Sequence, residues 1–301
     1  MKGDIKDWIQ AIRAFSFTAS VVPVLLGAAW AFIRPHDVVW GLLPVFLLCS
    51  VLIHAGTNLI NDYYDYENDV DKGYAFGSSG VLVSRKLEPQ QLKKGAWIVF
   101  VLAFVLGLII VFMRGWPIFI LGVLGIIAGF FYTASPFAYK YVALGDLFVF
   151  LFMGIFLVMG SFYALTGVWE LHSFFVGIPV SLLVIAILHG NNVRDLKHDQ
   201  ESGIKTMAII LGHRTSRYYY YGLVIGAFLF IGYMIASGVL SGWSLLVCLC
   251  LPMALRNMKM MKTSDPDKPE GIAMIDVASA QCHLAFGLLY IASIIISGVV
   301  S

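Results

Sequence analysis

The sequence predicts an all-α membrane protein with nine transmembrane helices, and three observations support this. Of the 301 residues, 59% are hydrophobic and only 13% are charged, with a mean hydropathy of +0.85, a composition outside the usual range of soluble domains. Apolar runs long enough to cross a hydrocarbon core of about 30 Å recur along the whole chain. Lys and Arg residues fall almost entirely in alternate connecting segments.

We expect a single domain over residues 1–301, with boundaries that carry an error of a few residues. The second and sixth spans differ from the others because their C-terminal ends run directly into clusters of Asp and Asn. The nine predicted spans are 8–33, 38–62, 92–113, 116–134, 143–165, 171–192, 215–237, 239–257 and 273–299.

The distribution of positive charge predicts the orientation. With nine crossings the termini lie on opposite faces, and 18 of the 20 Lys and Arg residues fall on the N-terminal face, whereas Arg34 and Arg114 fall on the other. Positively charged short loops stay on the cytoplasmic side. We therefore expect a multi-pass protein of the cytoplasmic membrane, with the N-terminus and the Asp-rich loops cytoplasmic and the C-terminus outside.

An internal repeat follows the second and sixth spans, in residues 58–73 and 191–203. Asn61-Asp62-x-x-Asp65-x-x-x-Asp69-x-Asp71-x-Gly73 matches Asn191-Asn192-x-x-Asp195-x-x-x-Asp199-x-Glu201-x-Gly203. The spacing i, i+3, i+7 places Asp62, Asp65 and Asp69 on one face of a continuing helix, and likewise Asn192, Asp195 and Asp199.

Crowded carboxylates repel one another unless cations offset them. Oxygen ligands on one face suit Mg²⁺, which completes its coordination shell with water and phosphate oxygens, so a diphosphate substrate follows. A single acidic cluster is more often a solvated helix end, but two copies at the same spacing on the same face favour metal binding. Nearby basic residues, Lys72, Arg85 and Arg194 among them, are candidates for contacts with phosphate, although the positive-inside bias also places Lys and Arg there.

These motifs resemble the signatures of the UbiA superfamily of intramembrane prenyltransferases. The resemblance also includes Arg13, Asn58, the stretch 77–80, Tyr132 with Lys140, and the stretch 203–206. It implies a nine-helix bundle around a central cavity and a prenyl diphosphate held through Mg²⁺. It further implies phosphate contacts from Lys140 and Arg194, catalytic roles for Asp65, Asp69, Asp195 and Asp199, and a metal and diphosphate ligand set of Asn58, Asp62, Asp65, Asp69, Asn192, Asp195 and Asp199.

Within the superfamily, Asn58 to Asp65, Asn191 to Asp195 and the stretch 145–163 are most similar to 1,4-dihydroxy-2-naphthoate polyprenyltransferases of menaquinone synthesis. The expected partners are a polyprenyl diphosphate, a small aromatic acceptor and membrane lipid, with no nucleic acid and no obligate protein partner. Prenylglyceryl phosphate and 4-hydroxybenzoate remain alternative acceptors. A cation transporter is the alternative outside enzymes, but its acidic residues would lie near the bilayer midplane rather than at helix ends.

Overall fold

The computed structural model describes residues 3–70 and 78–300, and nearly all of the described chain is helical. The predicted all-α membrane fold is confirmed. The helices are α1 (Ile5–Ala11), α2 (Thr18–Phe32), α3 (Leu42–Glu67), α4 (Pro89–Arg114), α5 (Trp116–Phe130), α6 (Gly145–Phe150), α7 (Phe156–Thr166), α8 (Leu171–Arg194), α9 (Leu196–Glu201), α10 (Met207–Ala236), α11 (Leu251–Lys262) and α12 (Ile275–Val300).

Eight helical segments of the described chain are long and apolar enough to cross a membrane, so the count of nine is not confirmed. The fourth predicted span corresponds to α5, which has only 15 residues and is about 22 Å long at 1.5 Å per residue. Gly115, with φ of 77°, separates α5 from α4, and the helix ends at Phe130. Residues 131–133 form a turn instead of continuing the helix, so α5 stops short of the predicted end at residue 134.

The first predicted span, 8–33, is broken into two helices. A capping box formed by Asp4 and Asp7 begins α1, and Arg13 between α1 and α2 has a left-handed conformation with φ of 52°. This conformation is unfavourable for an L-residue inside a helix, so the chain changes direction at Arg13. The prediction of one continuous helix through Arg13 was therefore wrong.

Both acidic motifs also extend past a helix end. Helix α3 stops at Glu67, and Asp69 follows it in a left-handed conformation with φ of 56°. Helix α8 stops at Arg194, and Asp195 joins it to the short helix α9, which contains Asp199. The prediction that each trio lines one continuing helix was wrong, because both helices end within the motifs.

The helices α2 and α8 are the most enclosed spans of the described chain, each with 61% of its most apolar window buried, whereas the value for α4 is 22%. Helix α2 approaches α7 so closely that a Cβ at Gly27 would lie 2.4 Å from the Val158 carbonyl oxygen. Small residues allow this close packing of helices in membranes. Because so little of α4 is buried, this helix lies at the periphery, with its apolar side chains facing outward.

The two basic residues predicted on the second face do lie together at one end of the bundle. Arg34 pairs with Glu170 at 2.8 Å, and Arg114 donates through Nε to the Ala164 carbonyl at 2.7 Å. Arg34 follows α2, whereas the acidic motifs lie beside the residues that precede α2. The bundle thus has two chemically different ends.

Candidate functional site

A cavity of about 760 Å³ lies at the end of the bundle where α3 and α8 terminate. Residues from both copies of the repeat line it, so the predicted meeting of the two motifs is present in the structure. The lining residues from the motifs are Asn58, Asn61, Asp65, Val70, Asn191, Asn192, Arg194, Asp195, His198 and Asp199, and Arg13, Ser79, Tyr132, Lys140 and Asp276 join them from other segments.

Asp62 lies just behind this lining and has only 1% of its surface exposed. Arg13 forms an ion pair with one of its carboxylate oxygens, and the Ser79 hydroxyl donates to the other. Gln10 in turn donates to the Ser79 carbonyl at 2.6 Å. The break between α1 and α2 therefore places a guanidinium where it compensates a buried carboxylate, as such a charge requires.

Asp65 is held from the loop that follows α5. Lys140 Nζ lies 2.6 Å from its Oδ2 atom, and the Tyr141 hydroxyl donates to Oδ1 at 2.6 Å. Burial lowers the pKa of Lys140, but the attraction of Asp65, Tyr141 and Asp199 outweighs it, so the pKa is raised above its ordinary value. Lys140 is thus a permanent cation in the cavity wall.

Asp195 is bound by the residue before it in the sequence. Arg194 donates from Nε and Nη2 to the two carboxylate oxygens at 2.9 and 2.8 Å, a bidentate arrangement that suits guanidinium. The Nη1 atom reaches Asp276 at 3.2 Å and the Ala273 carbonyl at 3.1 Å. Arg194 therefore connects the second motif to the segment that begins α12.

Asp199 is buried, with 8% of its surface exposed, and its carboxylate makes no hydrogen bond or ion pair within residues 3–70 and 78–300. Burial raises its pKa to about 8; Lys140 opposes this shift, and Asp195 and Asp65 add to it. The neighbouring His198 contacts the Val70 carbonyl at 2.6 Å, which ties the two motifs together. Among the described residues, the Asp199 carboxyl group thus has no hydrogen-bonding or ion-pairing partner.

The donor set fits a hard cation. It consists of carboxylate and amide oxygens, which Mg²⁺ prefers, and the buried Asn191 Oδ1 atom has no hydrogen-bond partner. Among the described residues, however, no three acidic, His or Cys side chains converge on one point. The carboxylates of Asp62, Asp65 and Asp195 are already paired with basic side chains. A metal cation would therefore bind by competing with or displacing those side chains.

Not every predicted site residue lies in the cavity. Asp69 and Arg85 are exposed and outside the lining, and Lys72 lies outside the described residues. Asn58 lines the cavity, but its Nδ2 atom donates to the Ile12 carbonyl at 2.8 Å. Gln10, Tyr141 and Asp276 hold or line the site but were not predicted, because they approach from segments that show no motif of their own.

A second, apolar cavity of about 240 Å³ adjoins the polar one and lies between α3, α4, α5 and the α6–α7 segment. His54 stands at the junction, hydrogen-bonded to Ser16 at 3.2 Å and to Ser20 at 2.8 Å. Stacked rings form part of the wall, with Tyr139 and Phe148 centroids 4.0 Å apart. Residues common to both cavities are His54, Asn58, Tyr132, Val149 and Met153.

Comparison with known proteins gives consistent matches along nearly the whole chain. A profile of the UbiA prenyltransferase family matches residues 20–296. The chain is 30% identical over 289 residues to 1,4-dihydroxy-2-naphthoate octaprenyltransferase of Bacillus subtilis (strain 168), covering 96% of this chain and 92% of that protein. It is 31% identical over 298 residues to the Homo sapiens UbiA prenyltransferase domain-containing protein 1, covering 97% and 84%.

Two solved structures share the fold at low sequence identity. A UbiA homolog from Archaeoglobus fulgidus bound to GPP and Mg²⁺ superposes with a TM-score of 0.61 at 16% identity, covering 95% of this chain and 99% of that one. The apo UbiA homolog from Aeropyrum pernix K1 gives a TM-score of 0.71 at 14% identity, with coverage of 95% and 98%.

Proposed function

Since the chain belongs to the UbiA prenyltransferase family and is an intramembrane prenyltransferase, we propose that it transfers a polyprenyl chain to 1,4-dihydroxy-2-naphthoate. The donor is a polyprenyl diphosphate, and the reaction belongs to menaquinone synthesis. Membership of this family also excludes the alternative that the chain is a cation transporter.

One observation carries the proposal for the donor. The polar cavity that Lys140, Arg194 and both acidic motifs line adjoins an apolar cavity walled by aromatic rings, and five residues line both. A prenyl diphosphate has the same division into a charged head and an apolar tail. The head therefore belongs beside the motifs, and the first carbons of the tail belong near Asn58 and Tyr132.

We assign Mg²⁺ to the oxygen donors that line the polar cavity, with Asp65, Asp195 and Asp199 as its carboxylates and Asn58 and Asn192 as amide donors. Asp62 and Asp69 remain in the proposed ligand set, although Asp62 is paired with Arg13 and Asp69 is exposed. When bound, the metal neutralises the charge of the diphosphate.

The chain's own cations act on the same charge. Lys140 and Arg194 line the cavity, and their positive charge stabilises the diphosphate as the allylic C–O bond breaks. Each is now held by a carboxylate, so binding of the diphosphate exchanges one anionic partner for another. Lys72, which lies outside the described residues, and Arg85, which is exposed, stay candidates for further phosphate contacts.

The apolar wall protects the other product of ionisation. An allylic cation reacts with any water it meets, and the cavity between α3, α5 and the α6–α7 segment is lined mainly by aliphatic and aromatic side chains. The electron-rich ring of the acceptor attacks the cation, and carbon dioxide leaves from a carboxylated naphthoate. The B. subtilis relative, named for this acceptor and matched over 96% of the chain, supports the choice.

A competition experiment tests the acceptor. Purified protein with Mg²⁺ and geranylgeranyl diphosphate receives 1,4-dihydroxy-2-naphthoate, 4-hydroxybenzoate and a prenylglyceryl phosphate together, and mass spectrometry identifies the prenylated product. We expect the naphthoate to be consumed first. Consumption of either other acceptor with the naphthoate untouched overturns the acceptor but retains prenyl transfer.

A further inference from the structure

Helices α10 and α11 carry a group of basic side chains at the end of the bundle that holds the acidic motifs. The Arg217 side chain donates from Nη1 to the Lys262 carbonyl at 3.0 Å, so the start of α10 and the end of α11 are joined there. Arg214 precedes Arg217 by one turn, and Arg256 and Lys259 precede Lys262 on α11. We call these five residues on two contacting helices the α10–α11 basic patch.

The charge of this patch is not neutralised by carboxylates of the described chain. None of its five members forms an ion pair within residues 3–70 and 78–300, and all except the half-buried Arg217 are exposed. Asp267 in the following loop pairs instead with Lys197 at 2.7 Å. Asp265 Oδ1 accepts from the Asp267 backbone amide at 3.0 Å. The patch therefore presents positive charge to its surroundings.

Exposed apolar side chains place the patch at the level of lipid headgroups. Tyr218 lies one turn farther into the bundle than Arg214, and Leu255 precedes Arg256; both are 61% exposed. Both helices belong to segments long and apolar enough to span a membrane, and tyrosine favours the boundary between hydrocarbon and water. On each helix, lipid-facing side chains thus lie next to cations that have no protein carboxylate as partner.

We propose that the α10–α11 basic patch binds the headgroup of an anionic phospholipid. The guanidinium groups offer paired donors to a phosphate, and the lysines add charge. The acyl chains then lie along α10 and α11 beside Tyr218 and Leu255. A zwitterionic lipid carries the same phosphate, but the patch repels its cationic group, so a net negative lipid is preferred. None of the five residues lines either cavity, so this site is separate from the one proposed for prenyl transfer.

Native mass spectrometry of the full chain in a neutral detergent tests the proposal. Phosphatidylglycerol and phosphatidylcholine are titrated separately, and the bound fraction gives an apparent Kd for each lipid. We expect wild type to bind phosphatidylglycerol more tightly by about tenfold or more, since each cation near an anionic lipid contributes roughly a factor of five. The variant Arg214→Gln/Lys259→Gln/Lys262→Gln should lose this preference, and inorganic phosphate at the lipid concentration should not displace the lipid from wild type.

The matched control is Lys6→Gln/Lys94→Gln/Lys268→Gln, which removes the same charge from three exposed positions outside the patch and should retain the preference. Photoactivatable phosphatidylglycerol should crosslink wild type within residues 210–221 or 251–262, which decides the question if the first triple variant does not fold. Three results would each overturn the site: no preference in wild type, an equal loss in both variants, or crosslinks confined to other segments. Displacement by inorganic phosphate would overturn the assignment to a lipid.

Discussion

Lys140 Nζ lies 2.6 Å from Asp65 Oδ2, although 75 residues separate the two in the sequence. The same ammonium group lies 3.1 Å from Asn61 Oδ1, so the loop after α5 is attached to the end of α3 by a cation. Both side chains are largely buried, and an opposite charge at such a distance stabilises the ionised form of each. The contact keeps a positive charge beside the first motif before any substrate binds.

Replacing Lys140 by Met should reduce kcat about 10²–10³-fold, the usual cost of removing one group that stabilises developing charge. Turnover with geranylgeranyl diphosphate measures the effect, and thermal unfolding in detergent reports folding. Lys197→Met is the control, because its pair with Asp267 is exposed at 2.7 Å and exposed pairs contribute little. Full activity of Lys140→Met would remove Lys140 from the proposed site.

The effects of changing Arg13 and Asp62 on the free energy of unfolding should be strongly coupled. Arg13→Gln leaves the Asp62 carboxylate, which is 1% exposed, without its guanidinium partner, and breaking a buried pair costs about 3–5 kcal/mol. Adding Asp62→Asn should recover most of that stability, because the buried charge is then gone, but not the activity if Asp62 is a ligand.

The double-mutant cycle on denaturant unfolding measures this coupling. Stability losses that simply add would show that the two residues act independently. Recovery of activity together with stability would make Asp62 a structural residue and exclude it from the ligand set.

Without Mg²⁺, protein stability should fall as the pH rises from about 4 to about 8. The pKa of Asp199 is raised from 3.8 to about 8, so in this range the folded chain holds a proton that the unfolded chain has released. The free energy of unfolding then decreases with pH, at a slope approaching about 1.4 kcal/mol per pH unit for one proton.

Unfolding measured across this range in EDTA tests the slope. Asp199→Asn should flatten it, since the titrating group is absent, and Mg²⁺ should flatten it in wild type if the metal binds the carboxylate. An unchanged slope in Asp199→Asn would assign the proton to another group.

The end of the bundle that carries the acidic motifs should face the cytoplasm. In a Cys248→Ser background, which removes the exposed cysteine while Cys49, Cys250 and Cys282 stay buried, Glu201→Cys and Val168→Cys report the two ends. An impermeant thiol reagent applied to intact cells should label position 168, and position 201 only after the cells are opened. The reverse pattern would invert the orientation predicted from the positive charges.

The repeat could be recognised from the sequence because its Asp and Asn residues recur at the same short intervals in both copies. Asp65 and Asp195 follow long apolar helices, and apolar length alone specifies a membrane span. Both motifs were therefore predictable as polar ends of spans, and the structure brings them to one cavity. The predictions of a membrane protein and of its family depended on the same local features.

The boundaries and the partners of the motifs depended on tertiary structure. Hydropathy cannot detect that Arg13 takes a left-handed conformation, or that α3 stops before Asp69, since it reports side-chain polarity and not backbone conformation. Tyr141 and Asp276 reach Asp65 and Arg194 across long stretches of sequence, and no local pattern encodes such distances. The amino-acid sequence by itself determined that this is a membrane enzyme with two acidic motifs. Only the packing of its helices decided which cations compensate the motif carboxylates and where an apolar tail can lie, because both depend on side chains that meet only in the folded bundle.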